Sequence, residues 1–249
     1  MSTDAAAPQI ISQTTVLSLG LVVVLLTAAY SLSLVVLPRR ISTKERGIYI
    51  WHIFNSLTHF VLEGSFLYYS LTAFVAVPST STLTLYGAKH LSYGTKYSSA
   101  PLARLWQEYA RADIRWGESD VVVVCIEAIT VLLCGPLAFW ISELVRRGDA
   151  SRWFWMSVLA TAEIYGGYMT FVPEWLTGSE KLVTEVWMYK CVQLPVPRGI
   201  GDADFSGRWL YLFFFNGLWV VIPGWLLWES YGTMVSAVEK EQKLAKKVE

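Results

Sequence analysis

Charged residues are scarce in this sequence. Only 16% of the 249 residues are Asp, Glu, Lys or Arg, whereas 54% are hydrophobic and the mean hydropathy is +0.41. Because soluble domains carry about 25% charged residues, the composition argues against a soluble enzyme and favours a polytopic membrane protein. Basic and acidic residues are equal in number, at 20 each. The chain therefore lacks the basic excess that would indicate a nucleic-acid partner.

Cysteine and histidine are also scarce, with three residues of each. Cys125 and Cys134 fall in one apolar run and Cys191 stands apart, which gives neither a disulfide framework nor metal-ligand spacing. We therefore interpret the cysteines as packing residues and expect no metal and no cofactor. The first residues lack the basic region of a cleaved signal peptide, which favours a retained first helix.

Long apolar runs are abundant. About 20 helical residues cross a hydrocarbon core of about 30 Å, and backbone hydrogen bonding in lipid restricts spanning segments to helices or barrels. Five segments are long enough, which predicts an all-α polytopic membrane protein with five transmembrane helices in one bundle around an intramembrane cavity. The predicted spans are residues 16–37, 48–77, 121–144, 153–172 and 209–228.

Lysine and arginine in the short loops indicate the orientation, because they are retained on the cytoplasmic side. "PRRISTKERG" after the first span holds four, "RRGDASR" after the third holds three, and the tail 233–249 holds four. Five spans with a lumenal N-terminus place all three on the cytosolic side. The final "KKVE" matches a dilysine retrieval signal of the endoplasmic reticulum, although a solvated lysine-rich tail has the same composition. We expect a multi-pass protein of that membrane.

The connectors differ in character. Residues 78–120 should form a lumenal connector, of which 79–100 are rich in serine, threonine and tyrosine without periodicity and predict a mobile excursion. Residues 102–112 carry apolar side chains at helical spacing, which predicts an amphipathic helix on the membrane or over the bundle. The connector 174–207 is too broken by charge and proline to span and is predicted to be interfacial.

Polar groups inside the predicted spans give the clearest functional signal. A charged side chain at the centre of a spanning helix costs about 2.5–3.5 kcal/mol, so such residues usually face a bundle interior and have a function there. Three spans each present a polar group with a partner one turn away, namely His59 with Glu63, Glu127 with Thr130, and Asn216 with Trp219.

Depth along the helices brings these groups to one layer. A rise of about 1.5 Å per residue places Glu63, Glu127 and Asn216 about 8–10 Å from the lumenal face, and Glu163 and Tyr165 a little nearer the middle. We therefore expect one buried polar site among aromatic and aliphatic side chains, suited to an apolar ligand with few polar groups.

Such a site suits proton transfer to carbon. A carboxylic acid can protonate a carbon–carbon double bond while a second group removes a different proton, which moves the bond without a cofactor. The face of Trp219 can stabilise a cation, including a carbocation. Taken singly, His59 fits a hydrogen-bonded bundle histidine, Glu127 a structural partner of Thr130 or Asn216, and Trp219 a packing residue. A proton or ion relay uses the same residue types, whereas zinc is disfavoured because no second histidine shares the face of His59.

Five motifs in order, from about residue 48 to 230, carry a family resemblance. They are "LTHFVLEGSFLYYS", "LWQEYARAD", "CIEAITVLLCGPLAFW", "EIYGGYMTF" and "FFFNGLWVVIPG". Together they resemble the emopamil-binding protein family, the 3β-hydroxysteroid Δ8,Δ7-isomerases of the endoplasmic reticulum. The resemblance implies a five-helix, usually homodimeric fold with a sterol cavity opening toward membrane lipids. It also implies protonation at C9 and deprotonation at C7 through a C8 carbocation, and binding of cationic amphiphilic amine inhibitors that imitate that cation.

The resemblance also assigns residues. By motif match the catalytic set is His59, Glu63, Glu127, Thr130, Asn216 and Trp219, and the predicted substrate contacts are Tyr109, Asp113, Glu163 and Tyr165. Glu127 and the His59–Glu63 pair would share the proton donor and acceptor roles. Thr130 and Asn216 would orient these groups, and Trp219 would stabilise the cation.

Two positions and one segment depart from the family pattern. Gly167 stands where the family tends to have aspartate, Glu163 stands where a neutral residue is common, and residues 79–100 resemble an insertion. These departures leave open an isomerase of a non-sterol terpenoid. A non-catalytic sterol- or amine-binding protein is a further alternative, against which the complete set of acid, base and aromatic residues argues.

Overall fold

The computed structural model describes residues 13–78, 85–178, 181 and 216–247 of the chain. These residues are mostly helical, with a two-stranded antiparallel sheet between β1 (Phe74–Ala76) and β2 (Leu91–Tyr93). The helices are α1 (Gln13–Val36), α2 (Thr43–Leu57), α3 (Gly64–Thr72), α4 (Pro101–Tyr109), α5 (Val121–Ile129), α6 (Gly135–Arg147), α7 (Arg152–Leu176) and α8 (Asn216–Ala245). Short 3₁₀ turns cover Leu85–Gly87, Thr95–Tyr97 and Ile114–Trp116.

Two stretches of π-helix interrupt otherwise continuous helices. Thr58–Glu63 joins α2 to α3, and Thr130–Cys134 joins α5 to α6. Within the described ranges, two helical stretches are long and apolar enough to cross a membrane, Gln13–Val36 and Val121–Arg147. The arrangement with five spans stays a prediction.

Several boundaries differ from the sequence-based expectations. The second predicted span was extended to residue 77, but helix α3 ends at Thr72 and Phe74–Ala76 form a strand. Helix α8 continues through the predicted tail as far as Ala245. Apolar composition alone did not separate helix from strand at the end of the second predicted span.

The connector 78–120 is more ordered than predicted. Leu91–Tyr93 pair with Phe74–Ala76, so the expectation of a mobile excursion over 79–100 is wrong for this part, and residues 79–84 lie outside the described residues. The predicted amphipathic helix is present as α4. The interfacial prediction for 174–207 falls largely on residues outside those described.

The packing role assigned to the cysteines holds for one of two described residues. Cys134 is buried, whereas Cys125 is exposed, so the packing interpretation is wrong for Cys125. Cys191 lies outside the described residues.

The chain divides into two compact units, which we describe separately. The aromatic unit comprises Met1–Val22, Ser65–Val124 and Phe171–Gly217, and the carboxyl unit comprises Val23–Gly64, Cys125–Thr170 and Leu218–Glu249.

Stacked rings form the core of the aromatic unit. The indoles of Trp106 and Trp116 stack with centroids 4.9 Å apart, and Phe66 packs 4.7 Å from Trp116. Trp106 Nε1 donates a hydrogen bond to Ser65 Oγ at 2.9 Å. These contacts join α3, α4 and the 3₁₀ turn that follows α4, because each element contributes at least one of the rings.

A close helix approach organises the carboxyl unit. Helix α2 and the π-helix after it pack against α6, where a Cβ atom added to Gly135 would lie 3.2 Å from His59 Cβ. Ser56 Oγ also donates a hydrogen bond to the Gly135 carbonyl at 2.9 Å. The absence of a side chain at residue 135 thus lets α6 approach the segment that carries His59.

Candidate active site

Both π-helical segments lie at predicted site residues. Thr58–Glu63 contains His59 and Glu63, and Thr130 begins the second segment. π-Helices are rare and frequently occur at functional sites. The wider turn changes which side chains share a helix face, and hydropathy does not reveal it because the apolar composition is unchanged.

The imidazole of His59 lies between two carboxyls. Its Nδ1 atom is 2.6 Å from Glu63 Oε2, a hydrogen bond across one turn. Its Nε2 atom is 3.9 Å from Glu163 Oε1, within ion-pair range but beyond a hydrogen bond. Because only 1% of His59 is exposed, both carboxyls interact with the ring in the interior of this unit.

The carboxyls of Glu63 and Glu127 also interact with each other. They lie close enough for an electrostatic interaction between the two side chains. Thr130 Oγ1 lies 2.9 Å from both the carbonyl oxygen and Oε2 of Glu127. The hydrogen bond from Thr130 restrains the Glu127 carboxyl.

Asn55 completes the cluster and was missed in the sequence analysis. Its Nδ2 donates a hydrogen bond to Glu163 Oε1, and its Oδ1 accepts one from Trp219 Nε1 at 2.8 Å. Asn55 is completely buried. The available signal was its spacing, since Asn55 precedes His59 by four residues and therefore lies on the same helix face.

Aromatic rings surround the indole of Trp219. The ring centroid of Trp51 is 5.4 Å from that of Trp219, and the centroid of Phe54 is 6.2 Å away. Both neighbours belong to α2, within about two turns of the π-helix. We call the set Asn55, His59, Glu63, Glu127, Thr130, Glu163 and Trp219 the carboxyl cluster.

Three other predicted site residues belong to the aromatic unit. Asn216 and Tyr109 belong to the aromatic unit, where Asn216 Nδ2 donates to the Tyr109 hydroxyl at 2.9 Å. The placement of Asn216 beside the carboxyls stays a prediction. Asp113 is fully buried and forms two hydrogen bonds with the Arg115 guanidinium, at 2.9 and 2.7 Å.

Tyr165 does not join the carboxyl cluster. It is 64% exposed, whereas Glu163 is buried. Residues two apart on an α-helix point in nearly opposite directions, so a helix that buries Glu163 turns Tyr165 outward. The expectation that both line one buried site is wrong for Tyr165.

The carboxyl cluster is rich in groups that can transfer protons, namely carboxyls and an imidazole. Among the residues that the structure describes, no lysine or arginine forms an ion pair with Glu63, Glu127 or Glu163, and no group of histidine, cysteine and acidic residues has the arrangement of a metal site. Such a set can give a proton to a bound molecule and accept another from it.

Comparison with known proteins identifies the family. Residues 101–230, more than half of the chain, match the model of EXPERA, the expanded EBP superfamily. The chain belongs to this superfamily.

Named relatives fall into two groups. The 3-beta-hydroxysteroid-Delta(8),Delta(7)-isomerase of Cavia porcellus is 31% identical over 166 residues, which cover 67% of this chain and 62% of the relative. The protein of the same name from Rattus norvegicus is 25% identical over 216 residues, covering 87% of this chain and 76% of the relative. A protoglabretal synthase of Ailanthus altissima is 22% identical over 208 residues, covering 83% of this chain and 76% of that protein. The match to the guinea pig protein thus spans less than two thirds of its length.

Proposed function

We propose that this protein is a membrane-embedded sterol Δ8-to-Δ7 double-bond isomerase. The observation that carries the proposal is the carboxyl cluster. In it the His59 imidazole is hydrogen-bonded to Glu63 and lies 3.9 Å from Glu163, and Glu63 also interacts with the carboxyl of Glu127. A sterol-binding protein without catalysis needs an apolar cavity but no matched proton groups. The name shared by the guinea pig and rat relatives supports the same reaction.

The reaction needs one proton delivered and one removed. Protonation of C9 converts the C8=C9 bond into a carbocation at C8, and loss of a proton from C7 forms the C7=C8 bond, with no net change in atoms or electrons. Glu127 and the His59–Glu63 pair would share the donor and acceptor roles, and Thr130 would orient the Glu127 carboxyl to which it is hydrogen-bonded. General acid–base catalysis of this kind contributes about 10²–10⁴-fold.

The carbocation needs a partner that does not trap it. The Trp219 indole would present its electron-rich face to the positive charge, an interaction of about 0.5–2 kcal/mol. A carboxylate in direct contact would instead risk covalent capture. Asn216 would orient the proton-transfer groups, and Tyr109, Asp113 and Glu163 would contribute to the pocket.

The expected setting is the endoplasmic reticulum membrane. Five spans, a lumenal N-terminus and a cytosolic "KKVE" sequence fit the loop charges. A homodimer, contacts with membrane lipids and inhibition by cationic amphiphilic amines belong to the same proposal. The last two residues of "KKVE" lie outside those that the structure describes.

The test is complementation of a cell that lacks Δ8,Δ7-isomerase, with sterols measured by mass spectrometry. The wild-type chain should restore Δ7 sterols, and Glu127→Gln should lower the rate by about 10²–10⁴-fold. In deuterated water the product should carry deuterium at C9. Glu143→Gln is the matched control, because Glu143 lies on the following helix α6 and pairs with Arg146 and Arg147 at the surface.

Two results would contradict the proposal. Failure of the well-expressed wild type to form Δ7 sterols would refute the sterol reaction. Activity of Glu127→Gln equal to that of Glu143→Gln would refute the proton role of Glu127.

Isomerisation of a non-sterol terpenoid is the second candidate. The Ailanthus relative is named for a different product, and Glu163 contributes a carboxyl group where the sterol family commonly has a neutral residue. If complementation fails, incubation of the membranes with Δ8 sterol and with a tetracyclic triterpenoid in parallel would distinguish the two, because only the true substrate should incorporate deuterium from the solvent.

A further inference from the structure

Glu163, Asn55 and Trp219 form a continuous chain of hydrogen bonds. Trp219 Nε1 donates to Asn55 Oδ1 at 2.8 Å, and Asn55 Nδ2 donates to Glu163 Oε1. Glu163 belongs to α7, Asn55 to α2 and Trp219 to α8. Each bond has a fixed direction, because an indole nitrogen can only donate and a carboxylate can only accept.

The direction of this chain has an electronic consequence. A carboxylate that accepts from the amide N–H draws the proton toward itself and raises the electron density on the amide oxygen. The amide oxygen then becomes a stronger acceptor for the indole N–H, because hydrogen bonds in series polarise one another in a medium of low dielectric. The indole ring gains electron density at the end of the chain.

An electron-rich indole interacts more strongly with a cation above its face. The same bonds restrict rotation of the indole, which also packs on Trp51 and Phe54. Glu163 needs no contact with a bound molecule for either effect, and it is 6% exposed.

We propose that Glu163 and Asn55 are positioning residues that act through Trp219, so that the indole is held and polarised for a cationic ligand or intermediate. This inference rests on the proposed function, since it assigns to that site the device that stabilises positive charge. The ligand class is an amphiphile with one cationic group, or a carbocation formed from an apolar substrate.

Glu163 has a second neighbour through which it could act. His59 Nε2 lies 3.9 Å from its carboxylate, and Glu63, Glu127 and Cys134 face the same region. Loss of the Glu163 charge would therefore weaken cation binding by a direct electrostatic effect as well. An experiment must separate the effect of Glu163 on the Trp219 indole from the direct electrostatic attraction between Glu163 and the cation.

A double-mutant cycle on Glu163 and Trp219 makes that separation. The purified full-length chain is titrated with two probes that share one alkyl tail, an N-alkylpiperidinium and the uncharged alkylcyclohexane. The measured quantity is the ratio of their affinities. Glu163→Gln keeps the size and a hydrogen-bond acceptor, and Trp219→Phe keeps an aromatic face but removes the N–H group.

The expected result is strong coupling between the two changes. Glu163→Gln should lower the preference for the cationic probe by about fivefold, in the range of one cation–π interaction. In the Trp219→Phe background the same change should have little further effect. An equal loss in both backgrounds would overturn the inference, because the carboxylate would then act directly or through His59. Equal binding of the two probes to the wild type would overturn it as well.

Asn55 provides an independent check. Asn55→Leu retains the Glu163 carboxylate but removes the link, and should lower the preference as much as Glu163→Gln does. If Asn55→Leu does not fold, the cycle on Glu163 and Trp219 still decides. Trp228→Phe is the control for the tryptophan change, since Trp228 lies on the same helix and is largely exposed.

The binding assay also distinguishes the two proposals. It requires no turnover, so a chain without isomerase activity that shows the coupling refutes only the proposed reaction. An active isomerase without the coupling refutes only the inference about Glu163 and Asn55.

Discussion

The two units of this protein handle buried carboxyl groups in different ways. In the aromatic unit, Asp113 is paired with the Arg115 guanidinium, which also lies 3.6 Å from Glu174. In the carboxyl unit, Glu63 is hydrogen-bonded to the His59 imidazole and Glu163 lies 3.9 Å from the same ring. Glu63 also interacts with the carboxyl of Glu127.

This difference separates a structural role from a chemical one. Guanidinium stays charged at every accessible pH, so a carboxylate paired with it has no proton to exchange. Imidazole and carboxylic acid both gain and lose protons. A buried carboxyl is thus a better candidate for catalysis when its partners can also titrate than when a fixed cation neutralises it.

The largest expected effect comes from removing the titratable partner in the carboxyl unit. His59→Gln keeps a side chain that can donate and accept hydrogen bonds but cannot carry an added proton. Isomerase activity should fall by about 10²–10⁴-fold, while the midpoint of thermal unfolding in detergent should change little. The measurement is the initial rate of Δ7 sterol formation by the purified protein.

His90→Gln is the control for this change, because His90 is exposed in the aromatic unit. It should retain the wild-type rate. If His59→Gln formed Δ7 sterol at a rate within threefold of the wild-type rate, the imidazole would be only a packing and hydrogen-bonding group. The two units would then not differ in the chemical role of their buried carboxyls.

The next effect is on stability and concerns the fixed cation. Arg115→Met leaves the fully buried Asp113 without its partner, which should lower the free energy of unfolding by about 3–5 kcal/mol. The readout is the unfolding midpoint in detergent, since a loss of this size should shift it by many degrees.

A second change sharpens the interpretation. Adding Asp113→Asn to Arg115→Met removes the uncompensated charge and should recover part of the loss. Arg111→Met, which affects an exposed pair with Glu108, should change stability by at most about 1 kcal/mol. If Arg115→Met resembled Arg111→Met, the Asp113–Arg115 pair would not be a stabilising element.

Short-range spacing anticipated part of the carboxyl cluster. The pairs His59 with Glu63 and Glu127 with Thr130 were predicted from helical periodicity, and both are hydrogen-bonded. Such pairs depend only on one helix, so the sequence contains the information needed to find them.

Partners from distant parts of the chain were harder to predict. Asn55 bonds to Glu163 and Trp219, which are 108 and 164 residues away. Its spacing of four residues from His59 indicates the shared helix face but does not identify these distant partners. The outward direction of Tyr165 was available from helical geometry and was overlooked. The π-helical segments were not available, because an insertion in the hydrogen-bond pattern leaves the hydropathy unchanged.

The smallest expected effect concerns an ion pair at the start of α5. Asp120 Oδ2 lies 2.7 Å from Lys181 Nζ, and Asp120 also accepts a hydrogen bond from the Val122 N–H at 3.0 Å. Burial alone would raise the pKa of Asp120, but hydrogen bonding and attraction to the Lys181 ammonium, together with the backbone N–H groups, hold that pKa below its ordinary value of 3.8.

A lowered pKa fixes the sign of the pH dependence. The folded state releases the Asp120 proton more readily than the unfolded state, so the contribution to stability is present above pH 3.8 and is lost as the pH falls through the lower pKa of the folded protein. Asp120→Asn keeps an acceptor for the Val122 N–H but removes the titrating charge. The wild type should therefore lose more stability than Asp120→Asn between about pH 6 and about pH 3, by at most about 1 kcal/mol for a partly exposed pair. Unfolding midpoints of both proteins at the two pH values measure this difference, and parallel shifts would show that the pair with Lys181 adds nothing to the stability of the aromatic unit.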